Sequence, residues 1–206
     1  MTLSAVRTFL ARPAERRRPF FLDLGRLGIF LFAVLVATGA LLAAYFRPAP
    51  EGAFDSVVTI TDSVRLGWFV RSLHVVAGHA LVAVTLVYLL RGFFQRLFLR
   101  PRGARAWPIA VGMALVSGAL LVTGESLPGN ESSYWQAVMN AHLVSRTPFI
   151  GPWLAEVFWG GPEVSPASVV RVYALHALLL PWVAFLLLGR AREVGRRDAG
   201  RTEAPR

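Results

Sequence analysis

The stretch LGWFVRSLHVVAGHALVAVTLVYLL, from Leu66 to Leu90, decides the fold. A helix of about 25 residues rising about 1.5 Å each is longer than the roughly 30 Å hydrocarbon layer of a bilayer. Within this apolar run stand Arg71, His74 and His79. Ionisable groups at membrane depth are costly and face a bundle interior, a cavity or a partner, so each is a candidate for function. Three further runs read the same way: Leu27–Phe46 and Trp107–Gly124 without charge, and Ser168–Leu188 with Arg171, His176 and Pro181. The expected fold is an all-α integral membrane protein, a four-transmembrane-helix bundle over residues 27–190. A basic segment (1–26) precedes it, and a basic tail (191–206), expected to be disordered, follows it.

Composition agrees. Of 206 residues 55% are hydrophobic and 17% charged, more apolar material than a water-soluble core uses. The chain has no cysteine, which excludes disulfides, thiolate metal sites and thioether attachment of a c-type haem. With no lysine, all 22 positive side chains are arginine, and the net charge is +10. Their distribution gives a topology. The leader to Arg26 has six arginines against two acids, Arg91–Arg105 has five arginines and no acid, and the tail from Arg190 has six arginines against three acids. The alternate links, Arg47–Arg65 and Glu125–Glu163, sum to −1 and −3. Arginine-rich connections stay in the cytoplasm, so both termini are placed there. The basic charge is thereby explained as topology, and nucleic acid is not expected as a partner. Leu27–Phe46 is longer than the apolar core of a secretion signal and is read as an uncleaved span.

The second and fourth segments both enter from the outer side, and each carries a histidine about eight residues in. His74 and His176 therefore lie at similar depth, in the outer third of the bilayer. Two facing imidazoles suit axial ligation of a haem iron, or an interhelical hydrogen-bonded pair; spacing alone leaves both open. Arg71, one turn nearer the surface than His74 and on nearly the same face, suits a haem propionate or lipid headgroups. His79 is rotated about 140° from His74 and cannot serve the same group; it reads as an interhelical or partner contact, as does Arg171.

The stretch Gly67-Trp68-Phe69-Val70-Arg71-Ser72-Leu73-His74, Leu127-Pro128 followed by Ser133-Tyr134-Trp135, Thr147-Pro148-Phe149-Ile150-Gly151, Phe158-Trp159-Gly160-Gly161, and Ala174-Leu175-His176 with Leu180-Pro181-Trp182 occur in order. Together they resemble the N-terminal four-helix domain of cytochrome b, closest in the fourth helix to the b6 type, over about residues 25 to 190. The resemblance implies two b haems, one near each membrane surface, with the second and fourth helices giving one histidine to each. It assigns the outer-haem iron to His74 and His176 and a propionate to Arg71. It also makes Gly39 and Gly124 points where the backbone comes close to the outer haem; close packing of small residues explains them equally.

Departures from the family pattern carry as much information. Its second histidine on the second helix, fourteen residues after the first and about 21 Å deeper, is here Tyr88. On the fourth helix the corresponding position is Arg190 or Ala191, and Ala110 stands where the third helix has its inner glycine, although Gly25 remains on the first. The expectation is one haem b on the outer side, with the second haem absent. The resemblance then implies a membrane electron-transfer subunit of a cytochrome bc-like quinol-oxidising complex in a bacterial cytoplasmic membrane. Expected partners are quinol or quinone, an iron–sulfur protein or c-type cytochrome, the lipid bilayer, and a separate subunit supplying the family's C-terminal half. The alternative is a membrane anchor for other redox subunits, motivated by the lost ligands and by Gln136 beside Trp135. Tyr134, Trp135, Trp153, Phe158 and Trp159 read mainly as interfacial anchors; Glu125, Glu131 and His142 are candidates for handling quinol protons.

Overall fold

The computed structural model describes residues 23–99, 103–161, 163–165 and 167–203. The arginine run Arg16–Arg18 and most of the basic leader lie outside the described residues. Every regular element among the described residues is helical. Helix α1 spans Leu24–Ala43, α2 Ala53–Asp62, α3 Gly67–Phe94, α4 Gly103–Glu125, α5 Glu131–Ser145 and α6 Gly151–Trp159. The last rod begins as α7, Ser168–Tyr173, loosens into one π-helical stretch, Ala174–Leu179, and continues as α8, Leu180–Glu203.

Four helices are long and apolar enough to cross a membrane: α1, α3, α4 and the rod from Ser168. In the apolar window of each of the first three only 11% is buried inside the chain, and 22% in the fourth. So little self-burial of such apolar faces leaves hydrocarbon as their solvent. The spans begin and end a few residues away from the apolar runs because caps, not hydropathy, set helix ends. Asp23 caps α1 by accepting the Arg26 N–H at 3.2 Å, which moves the start from the expected Leu27 to Leu24. At the other end α8 runs helically to Glu203, past residue 191 where the sequence places a disordered tail. An Arg190–Glu193 pair at 3.2 Å lies along this extension, a spacing that supports a helix.

The spans pack in sequence, α1 on α3, α3 on α4 and α4 on α8. Midway along the spans Phe32 of α1, Leu81 of α3 and Ala184 of α8 are buried together, with Leu35, Met113, Val116 and Leu188 against them. Beside this layer Thr85 of α3 and Ser117 of α4 share a hydrogen bond at 3.1 Å, satisfying two hydroxyls between helices. The end away from the Arg91–Arg105 link is capped by the short helices. Ala137 and Ala141 of α5 let Trp159 of α6 and Val172 of α7 approach closely, and these four form a second buried cluster. Ser168 fixes the entry into the last span by donating to the Trp159 carbonyl at 2.6 Å. Of the aromatic residues expected as interfacial anchors, Trp159 is buried, whereas Tyr134, Trp135 and Trp153 are exposed.

Candidate functional site

His74 is the eighth residue of α3 and His176 lies within the π-helical stretch of the last rod. The two rings face one another with centroids 6.2 Å apart and planes at 68°. The two side chains are therefore brought together across the bundle, between the cap of short helices and the Phe32–Leu81–Ala184 layer. The π turn has a local cause. Pro181 has no N–H to give the preceding turn, and the Leu180 N–H reaches back to the Leu175 carbonyl, five residues away. Such a bulge redirects side chains near it and is common where a helix carries a functional group.

Each imidazole is held by the same device. The Thr38 hydroxyl of α1 is 2.7 Å from the Val34 carbonyl and 2.8 Å from His74 Nδ1. The Thr123 hydroxyl of α4 is 2.6 Å from the Ala119 carbonyl and 3.0 Å from His176 Nδ1. A hydroxyl has one proton, and a carbonyl only accepts. Each threonine therefore donates to its own helix and accepts an N–H from the histidine. That places the imidazole proton on Nδ1 and leaves Nε2 as a lone pair, the tautomer a metal ligand needs. Both threonines are buried. Sequence reasoning missed them, although each stands immediately before one of the glycines it singled out; the repeated Thr-Gly pair was the available signal.

Those glycines are where the site is tightest. A Cβ on Gly39 would stand 3.1 Å from His74 Cε1, and one on Gly124 would stand 2.9 Å from His176 Cε1. Neither distance leaves room for alanine without moving an imidazole. Gly39 and Gly124 thus seat the rings themselves.

Two imidazoles sharing one metal ion through Nε2 would have centres about 6 Å apart, given a metal–nitrogen bond of about 2 Å and about 1 Å from nitrogen to ring centre. The observed 6.2 Å fits that span. Arg71, half-buried one turn above His74, makes no ion pair or hydrogen bond with any described residue. A guanidinium left free at the mouth of the site suits an anionic group.

The other sequence candidates lie elsewhere. His79 turns away from His74 and meets Glu125 of α4, with Nε2 3.4 Å from the carboxylate. Arg171 lies against Gly160, at the turn that ends α6. Glu131 opens α5, and His142, on its last turn, is exposed. Gln136 bonds to Ser132 at 3.3 Å. Tyr88 is 43% exposed and does not point into the bundle. Arg190 is turned outward, paired with Glu193.

The profile of the family described as Cytochrome b/b6/petB matches residues 13–189. The cytochrome b6 of Heliomicrobium gestii is 36% identical over 168 residues, covering 82% of this chain and 78% of that protein. That of Trichodesmium erythraeum is 32% identical over 170 residues, covering 82% and 76%. Among solved structures, a chain of a hyperthermophilic respiratory Complex III superposes with a TM-score of 0.72 at 22% identity, over 84% of this chain and 47% of that one. This likeness carries the fold, and the chain spans about half of that solved chain.

Proposed function

This chain belongs to the cytochrome b/b6/petB family, and from that premise we propose that it holds a single haem b between His74 and His176, near the periplasmic face of a bacterial cytoplasmic membrane. It serves there as an electron-transfer subunit of a cytochrome bc-like quinol-oxidising complex. The observation that carries the reading is the imidazole pair, 6.2 Å between ring centres, with both Nδ1 atoms tied to threonine and both Nε2 atoms left as donors to a metal. When bound, the haem supplies a one-electron couple; the chain supplies its seat. Thr38 and Thr123 fix the tautomer and ring angle, Gly39 and Gly124 admit the rings to the helix backbones, and Arg71 neutralises a propionate.

Absence of an inner haem is supported by the missing ligands. The family's inner-ligand positions carry Tyr88, which is exposed, and Arg190 or Ala191. With one haem the subunit does not pass electrons across the membrane. It exchanges them at the outer face with a quinol, and with an iron–sulfur protein or c-type cytochrome. The membrane domain runs from about residue 27 to 190, and both of its ends face the cytoplasm.

A pyridine haemochrome assay joined to an optical redox titration of the purified chain tests this. One haem b per chain, titrating as one low-spin component and reduced by quinol in the assembled complex, is expected. Two haems per chain would overturn the single-haem reading. Haem that no quinol or periplasmic donor reduces would leave the chain as a membrane anchor.

A further inference from the structure

His79 and Glu125 are an ionisable pair that the imidazole site does not use. His79 Nδ1 is 2.9 Å from the Val75 carbonyl, and since a carbonyl only accepts, Nδ1 carries a proton. In the neutral ring Nε2 is then a lone pair, standing 3.4 Å from a Glu125 carboxylate oxygen. Two acceptors face each other, and the arrangement is satisfied when a proton or a donor hydroxyl joins them.

The place of the pair matters as much as its chemistry. Glu125 follows Gly124, the seat of His176, so the pair lies at the depth of the two inner imidazoles. Yet it opens to the outside of the bundle, with His79 54% and Glu125 36% exposed. On α3 the same face carries Val75, Leu86 and Phe93, all exposed, at helical offsets of four, seven and fourteen residues from His79. On α4, Gly118 lies seven residues before Glu125, and the space where its Cβ would stand is open. A proton-accepting pair thus heads an apolar face that the bilayer covers.

We propose that His79 and Glu125 bind the hydroxyl of a lipid-soluble hydroquinone and take its proton. The ligand must dissolve in hydrocarbon to reach the pair from the side, present an O–H to Nε2, and have a proton to lose beside the electron-accepting site. In the step the quinol O–H bond breaks and an Nε2–H bond forms. A neutral quinol and a neutral imidazole become a quinol monoanion and an imidazolium paired with the Glu125 carboxylate. No electron moves in this step, and the anion is the form that gives up an electron more readily. The proposal deepens the quinol-oxidising reading and rests on it.

The test uses the full chain in lipid nanodiscs. Calorimetric binding of a decyl-substituted benzoquinol is compared with that of its dimethyl ether, each corrected for partition into empty discs. Saturable quinol binding is expected, with the ether weaker by about tenfold or more, as loss of a hydrogen bond to a charged pair implies. His79→Ala, the nearly isosteric His79→Asn, and Glu125→Gln should each lose about tenfold in quinol affinity while retaining the low-spin haem spectrum. Equal binding of the ether, or unaltered quinol affinity in the variants, overturns the proposal. So does release of a partner subunit by the variants with quinol affinity unchanged, which makes the pair a subunit contact. If the parent chain shows no low-spin haem, the haem reading fails, and quinol affinity still decides this site by itself.

Discussion

Two threonine hydroxyls fix which nitrogen of each imidazole is free, and that is a matter of one proton each. Thr38→Val and Thr123→Val remove the Nδ1 acceptor and keep the shape. Each leaves a buried N–H without a partner, at a cost of roughly 1–3 kcal/mol, and releases the ring to turn. We expect a changed low-spin absorption line and a shifted midpoint potential in an optical redox titration. Thr→Ser at either position restores both, because the hydroxyl is back; equal behaviour of Val and Ser would show that only packing matters there. His74→Ala or His176→Ala should abolish the low-spin spectrum, whereas Tyr88→Phe should leave it intact. Gly39→Ala and Gly124→Ala place a methyl 3.1 and 2.9 Å from an imidazole carbon. Both should lower haem content per chain, and Gly124→Ala more so.

At the scale of elements, the last span is held by a backbone irregularity and a turn. The π stretch Ala174–Leu179 ahead of Pro181 sets the rotation of His176 relative to α4. Pro181→Ala restores an N–H and favours a regular α-helix, in which residues before and after the bulge change register by part of a turn. Haem retention through purification should fall, while total helix content by circular dichroism holds. The turn ending α6 depends on Gly160, with φ of 87°, where a Cβ would also overlap the Arg171 guanidinium. Gly160→Ala should destabilise the outer cap by about 1–3 kcal/mol, read as a lower unfolding temperature in detergent. If unfolding is unchanged, the turn is not what joins α6 to the last span.

For the whole molecule, the four spans, with so little of their apolar faces buried in the chain, need lipid to cover them. Reporter fusions after Glu203 and within Arg91–Arg105 should report cytoplasm, and fusions within Glu131–Ser145 the periplasm. The opposite pattern would invert the site and put its imidazoles on the inner side. Tyr88→His alone should not create a second low-spin component, because the fourth helix offers Arg190 or Ala191 at the matching position and no histidine.

The amino-acid sequence by itself determined the number of spans, the residues inside them and the matching positions of His74 and His176 along their helices. Each follows from local quantities: apolar length against bilayer thickness, and positions along a helix of known rise. It also located Gly39 and Gly124, through resemblance. The tertiary structure alone decided which ring nitrogen is free, because the acceptor of each N–H is a threonine 36 or 53 residues away on another helix. It alone brought His79 to Glu125, and packed Phe32, Leu81, Met113 and Ala184 of the four spans on one another. A hydrogen bond or a filled cavity is a relation between distant residues in three dimensions, and hydropathy along one chain has no record of it.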